Sequence, residues 1–373
     1  MSKKEISRRK ILKTAGLITA ASFLSSCSDS GTPNKPSKTT ATIKKTFDWK
    51  LVTTWPKNFP GLGTGAQRLA DSIRKMSEGR LNIKLFAAGE LVPAFESFDA
   101  VRENKAQMFH ASPYYWINKN KSTPFFGAVP GGMIAQEHNA WINYGGGQEL
   151  WDKLYSDFGL KSFMAGNSGT QMGGWFLKKI NSKADFKGLK MRIPGLAAEV
   201  LNRMGGTAVA LPGGEIMPAL QSGAIDATEW VGPWNDLAFG FYKITKFYYG
   251  PGIHEPSSVL ECSINLEAYN SLPDDLKTIV KVACEAENNR MLSEFTAANS
   301  DAQQKLIKEH NVEVLNFPKS VFKSMIEISN DVVAETANEG KLNRQIFDSW
   351  NNFKNLARLR SPFAEHGFIN LSS

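Results

Sequence analysis

Cysteine and histidine are scarce in this chain, which has three of one and five of the other among 373 residues. Cys27, Cys262 and Cys284 form no C-x-x-C pair and fit no zinc spacing, and a disulfide between the last two is neither demanded nor forbidden. His110, His138, His254, His310 and His366 are spread along the chain, so spacing alone favours no histidine-based catalytic centre. His254-Glu255 lacks the histidine three residues later that a zinc protease helix needs. Gly166-Asn167-Ser168-Gly169-Thr170 carries threonine where a nucleophile elbow needs glycine. Gly61, Gly63 and Gly65 lack the later glycine of a dinucleotide loop, and no phosphate loop is present. Long apolar runs are missing as well. The weakly apolar stretch 14–24 falls well short of the roughly 20 residues that span a bilayer as a helix.

Positive charge is less abundant than the formal +8 suggests. Residues 1–26 hold six Lys/Arg against Glu5, and without that net +5 the remainder is +3, too little to argue for nucleic acid. Ser7-Arg8-Arg9-Lys10 is a twin-arginine pattern, and with the apolar stretch it reads as an export signal over 1–27. Leu24-Ser25-Ser26-Cys27 looks like the lipobox of bacterial lipoproteins, with Cys27 acylated. The other reading is a plain signal peptide cut at small residues. Residues 28–46, rich in Ser, Thr, Pro and Lys, have almost nothing to bury and read as a disordered tether.

From Phe47 onward the composition is that of an ordinary globular protein, 42% hydrophobic and 21% charged overall, long enough for two α/β domains. Strand patterns at Phe47–Trp55, Leu81–Phe86 and Ala106–Ala111 alternate with helical ones at Ala66–Ser77 and Glu90–Glu103. This order calls for right-handed crossovers and a mostly parallel sheet. A helical stretch from Asn139 to Phe158 is interrupted by Gly145-Gly146-Gly147. The pattern repeats after Gly166: strands at Trp175–Leu177, Lys190–Ile193, Thr207–Leu211 and Ala224–Thr228, helices at Leu196–Met204 and Glu215–Gln221, the latter weakened by Pro218. Pro273 to His310 is helical without an internal proline, long enough to lie across both domains. Ser320–Asn338 and Leu342–Leu359 are two further amphipathic helices.

What remains for chemistry is a set suited to an anion held with a cation. Arg192 is an isolated arginine in an apolar strand, and its planar guanidinium can grip a carboxylate through two parallel hydrogen bonds. A surface pairing with a nearby acid is the other reading. Asn167 and Gln171, four apart in a glycine-rich loop, can meet a ligand or a hard cation, or cap the loop. Glu229 offers a carboxylate, and carbonyls near Trp230 offer oxygens, as a sodium or calcium site requires. Ser112-Pro113-Tyr114-Tyr115-Trp116 puts aromatics at a strand's carboxyl end, where open α/β sheets receive ligands.

Lys187-Gly188-Leu189-Lys190-Met191-Arg192-Ile193-Pro194-Gly195, then Met204-Gly205-Gly206, Leu211-Pro212, Ala219-Leu220-Gln221-Ser222-Gly223 and Ile225-Asp226-Ala227-Thr228-Glu229, resembles the solute-binding proteins of tripartite ATP-independent periplasmic (TRAP) transporters. The resemblance covers nearly all of the chain from Phe47. GNSGTQMGGWF and EWVGPWND are similar to the branch that binds 2-oxo or 2-hydroxy acids such as pyruvate and lactate with a metal ion. The resemblance implies a two-domain periplasmic-binding-protein-like α/β fold with a cleft between domains and a long helix spanning both. Domain I would be 47–166 with 258–300 returning, domain II 167–257, and 301–373 would pack across both or onto a dimer partner. Arg192 and Asn167 would grip the substrate carboxylate. Gln171, Glu229 and the Trp230 carbonyl would hold Na⁺ or Ca²⁺, with Tyr115 and, less centrally, Glu255 at the ligand. The partners implied are a small carboxylate, the TRAP membrane subunits and a second copy of the chain. The place implied is the periplasmic side of the envelope, anchored by lipid. From other classes, an exported metal-dependent α/β hydrolase or lyase using Glu229 as base, or a ligand-sensing lipoprotein, fits the same residues.

Overall fold

The computed structural model describes residues 45–372. The export signal, the acylation site expected at Cys27 and nearly all of the tether lie outside them. Phe47–Thr53 (β1) pairs in parallel with Leu81–Phe86 (β2) across Leu62–Met76 (α1), and with Met108–Ala111 (β3) across Ser97–Arg102 (α2). The long helix expected over Glu90–Glu103 shrinks to a 3₁₀ turn and α2, because Pro93 stands just before that turn and cannot supply a helical N–H. Ala135–Tyr144 (α3) and Gly147–Ser156 (α4) are parted at Gly146, whose φ of 84° favours glycine. Leu160–Asn167 (β4) follows.

Next come Gly174–Phe176 (β5), Lys190–Arg192 (β6), Leu196–Met204 (α5), Thr207–Val209 (β7), Gly213–Gln221 (α6), Ala227–Thr228 (β8), Pro233–Phe239 (α7) and Phe247–Tyr249 (β9). Helix α6 starts at Gly213, so Pro218 lies inside it rather than in its first turn. The chain then returns through Val259–Asn265 (β10), Leu266–Asn270 (α8) and Asp274–His310 (α9). It ends with Glu313–Leu315 (β11), Lys319–Glu335 (α10), Lys341–Arg360 (α11) and Glu365–Ser372 (α12).

These strands make a five-stranded sheet in the order β2-β1-β3-β10-β4 and a six-stranded sheet in the order β11-β9-β5-β8-β6-β7. Both are mixed rather than mostly parallel. Strand β10 runs antiparallel to β3 and β4, and β5 antiparallel to β8 and β9. The reason is long-range: β10 comes from a segment far along the chain and lies between β3 and β4, a placement that no local pattern encodes.

Helix α9, 37 residues long, serves both sheets. Met291 packs where β4 passes at Gly166, Glu287 binds Arg68 of α1 at 2.6 Å, and Phe295 meets Trp234 of α7 edge-on at 5.3 Å. Gly61, with φ of 68°, lies so close to Phe295 and Trp234 that a Cβ would stand 2.8 Å from the Trp234 ring. That close approach lets the loop after β1 dock on the six-stranded side, where Asn235 donates to the Pro60 carbonyl at 3.0 Å. Trp55, Phe59, Trp230, Val231 and Phe295 share one buried cluster there. Each large side chain removed from water contributes roughly 1.5–3 kcal/mol. Among the described residues no helix is long and apolar enough to cross a membrane.

Candidate functional site

Strands β6 and β8 are parallel neighbours, with Arg192 opposite Thr228. Their ends therefore bring Arg192 beside Glu229, and both side chains are buried. The Arg192 Nη1 donates to Glu229 Oε1 and, at 3.3 Å, to the Glu229 carbonyl. Nε donates to the Leu211 carbonyl at 3.1 Å. Nη2 is the least committed arm, with Tyr115 Oη at 3.5 Å. The guanidinium lies 5.2 Å from the Trp230 ring centre, so the indole supports it from one face. Arg192 is thus a paired arginine as its simpler sequence reading held, but the pair is inside the molecule and one edge is turned to Tyr115.

Three backbone hydrogen bonds sew the neighbouring segments together: Met172 N to the Val231 carbonyl at 3.0 Å, Gln171 N to the Glu255 carbonyl at 3.0 Å, and Gly252 N to the Gln171 carbonyl at 2.8 Å. This knitting places Gln171, the 229–231 turn and the 254–255 pair around one point. Glu229, His254 and Glu255 each aim a ligand atom into a group whose members lie within 4.8 Å of one another. His254 Nε2 is 3.2 Å from Glu229 Oε2. Neither atom makes a hydrogen bond of good geometry, and Glu255 Oε2 and Gln171 Oε1 are buried without a partner too. Gln171, Tyr115, Trp230, Trp55, Leu62 and Ser112 line a cavity of about 10 Å³, room for roughly one water.

Electrostatics explain the orphaned oxygens. Burial pushes the Glu255 carboxyl up to about 7, and the Glu229 charge adds to it. Burial pulls the His254 imidazole down, but the Glu229 carboxylate 3.2 Å away and the charge of Glu255 outweigh it and leave the group raised. The Tyr115 phenol is pushed by burial up to about 12, so it stays a donor. With both carboxyls ionised and the imidazole neutral, the state in which all three can act as ligands, one guanidinium faces two buried carboxylates, and the excess negative charge is costly unless a cation neutralises it. Unpartnered carboxylate and carboxamide oxygens are the donor set of a hard cation such as sodium or calcium, so the residues present fit one.

The structure brings together Arg192, Glu229, Gln171, Trp230, Tyr115 and Glu255. Asn167 is placed differently. Its carboxamide donates to Ser257 Oγ of the return segment at 3.2 Å and accepts from Gly169 N at 2.8 Å, so both of its polar atoms are engaged within the protein. The residue that sequence reasoning passed over is His254, dismissed for lacking a protease motif. Its signal was adjacency to Glu255, itself singled out.

Residues 51–339 match the model of the family described as bacterial extracellular solute-binding protein, family 7 (DctP). A monocarboxylate 2-oxoacid-binding periplasmic protein of Nostoc sp. (strain PCC 7120) is 40% identical over 347 residues, covering 93% of this chain and 93% of its own. A solved TRAP periplasmic solute-binding protein from Colwellia psychrerythraea, with bound calcium and pyruvate, is 41% identical with a TM-score of 0.83, covering 87% of this chain and 99% of its own. One from Pseudoalteromonas atlantica T6c, with bound sodium and pyruvate, is 39% identical with a TM-score of 0.84 over the same shares, 87% and 99%. The matched region spans the five-stranded and six-stranded sheets and the cluster around Arg192. The chain belongs to the DctP family of TRAP solute-binding proteins, bacterial extracellular solute-binding protein family 7.

Proposed function

We propose that this protein captures a small 2-oxo monocarboxylate of the pyruvate type together with Na⁺ or Ca²⁺ on the periplasmic side of the envelope, and delivers it to TRAP membrane subunits. The observation that carries this reading is the buried Arg192–Glu229 pair ringed by unpartnered oxygens of Gln171, Glu229 and Glu255. An anion placed beside ionised, buried Glu229 and Glu255 meets uncompensated negative charge, and a cation entering with it offsets that cost. Arg192 Nη2 and the Tyr115 hydroxyl meet the substrate carboxylate. Gln171, Glu229 and the Trp230 carbonyl, joined by Glu255, hold the cation. When bound, the cation supplies positive charge that binds the substrate oxygens. Asn167 contributes by fixing the loop that carries Gln171.

Capture proceeds by hinge closure. Contacts between the two sheets' segments support this: Tyr115 reaches Arg192, and Trp55 and Phe59 meet Trp230 edge-on with ring centres 6.3 and 6.1 Å apart. The chain acts as a carrier, not an enzyme. Cys27 tethers it to the membrane, as its lipobox sequence suggests. A second copy packs on the C-terminal helices, where Leu356, Leu359, Phe363, Phe368 and Leu371 are exposed and α12 buries only Gly367 of its own residues. Purified exported protein tests these statements together. Incubated with pyruvate and calcium, it returns the acid unchanged at one equivalent per subunit. Light scattering gives the mass of a dimer, and intact-mass analysis finds a diacylglyceryl group at Cys27. Consumption of the acid would favour the hydrolase or lyase reading instead.

A further inference from the structure

Asp236 lies in α7, outside the cluster just described, and is buried. Its Oδ2 accepts from Trp175 Nε1 of β5 at 2.9 Å and from Tyr248 Oη of β9 at 2.7 Å, while Oδ1 accepts from Val231 N at 3.3 Å. The Trp175 and Tyr248 rings stack with centres 4.0 Å apart, so both donors are held rigidly by the sheet. The carboxyl is therefore a fixed strut between the sheet and one peptide group. Buried polar groups of this kind are hydrogen-bonded for stability, but the choice of peptide here matters.

The N–H of Val231 belongs to the same planar unit as the Trp230 carbonyl, and in a trans peptide the two point in opposite directions. Holding the N–H toward Asp236 turns the Trp230 oxygen away from it. On the next peptide the Val231 carbonyl accepts from Met172 N at 3.0 Å, so the turn is clamped from both sides. Gln171, Trp230 and Val231 line the same small cavity. A carboxylate accepting from an amide N–H also polarises the amide, making its carbonyl oxygen a better ligand for a hard cation.

We infer that Asp236 is a positioning residue for the cation site: it fixes and polarises the Trp230–Val231 peptide so that the Trp230 carbonyl serves as a ligand. The inference rests on the reading above that a cation is held beside Trp230. Support groups behind a ligand typically alter metal affinity by about 10–100-fold. Asp236→Asn puts an amide NH₂ or a weaker carbonyl against these three donors, and loosens the peptide without touching any ligand.

The test is a calcium titration of the full exported chain, read by calorimetry, with pyruvate affinity then measured at saturating calcium and folding followed by circular dichroism. D236N is expected to weaken calcium binding by about tenfold or more, with pyruvate affinity at saturating calcium within about threefold of the parent. The control is the single variant Tyr248→Phe, which removes one donor but leaves Trp175 to hold the carboxyl against Val231. It is expected to melt earlier yet bind calcium within about threefold of the parent, which a purely structural role for Asp236 does not predict. Parental calcium affinity in D236N, or an equal loss in Y248F, overturns the inference. If D236N does not fold, Asp236→Glu, which keeps the carboxylate but moves it by one methylene, decides in its place: weakened calcium binding supports the inference and parental affinity overturns it. Absence of calcium and sodium binding in the parent protein would instead remove the underlying reading of the site, and the inference with it.

Discussion

Replacing Arg192 with alanine is expected to lower pyruvate affinity by at least about a hundredfold and to lower the melting temperature of the ligand-free protein. Two losses combine. The substrate carboxylate loses a charge-assisted partner, and Glu229, fully buried, loses the guanidinium that compensates it. Leaving Glu229 unpaired costs the fold about 3–5 kcal/mol, while losing a charge-assisted bond to the substrate costs binding about 1.5–3 kcal/mol, or about 10- to 100-fold, with the disordered site adding to it. Arg192→Lys separates the two losses. It keeps the charge but gives up the fork that reaches Leu211, Glu229 and Tyr115 at once. Its melting temperature should fall less than that of the alanine variant, while its affinity stays well below the parent. Parental affinity in R192A, measured by calorimetry on folded protein, would sink the role given to this residue.

The second large effect concerns stability rather than binding. Glu261 sits on β10 inside the five-stranded sheet, accepting from Trp116 Nε1 and from Ser263 Oγ, each at 2.6 Å. Burial pushes its carboxyl up to about 8 against the pull of those donors. In the unfolded chain it titrates near 4.5. The group's contribution to stability is fully present below pH 4.5. As pH rises toward 8, the unfolded state releases this proton while the native state keeps it, so the contribution is lost. At about 1.4 kcal/mol per unit, the loss is on the order of a few kcal/mol.

Other groups act in the same window. Asp236, lifted by burial to about 7, adds to the fall. His110 and His138, pulled by burial down to about 4, oppose it, since stability rises with pH from 4 toward their ordinary 6.5. The difference between the parent and Glu261→Gln isolates one residue from this mixture. The expected result is a melting-temperature profile for E261Q that falls less steeply between pH 5 and about 9, leaving the variant the more stable protein at the alkaline end. Parallel profiles would mean that Glu261 is ionised in the native state.

Much of this architecture was readable from short-range pattern. Leu69 and Ile73 mark the buried side of α1, the triple glycine at Gly145 to Gly147 divides two helices, and the proline-free stretch to His310 is one helix. What pattern missed has a common physical cause. Strands of two or three residues, such as β8, have too few alternations to set a period, and the antiparallel placement of β10 depends on contacts made across the fold. Helix α7, seven residues starting at Pro233, was invisible for the same reason, and Asp236 with it. The site was partly legible. Arg192 stood out as a lone charge in an apolar strand, whereas His254 gave no periodic or motif signal. It gains its meaning only when the loop carrying it is hydrogen-bonded to Gln171 through Glu255 and Gly252.

Co-capture of an anion with a cation by a buried charged cluster is tested most directly by titrating pyruvate into protein stripped with a chelator and dialysed free of sodium, with and without added calcium. Binding is expected to be at least about a hundredfold tighter when calcium is present, since an anion placed beside ionised, buried Glu229 and Glu255 costs several kcal/mol without it. Equal affinity in the two titrations would contradict co-capture.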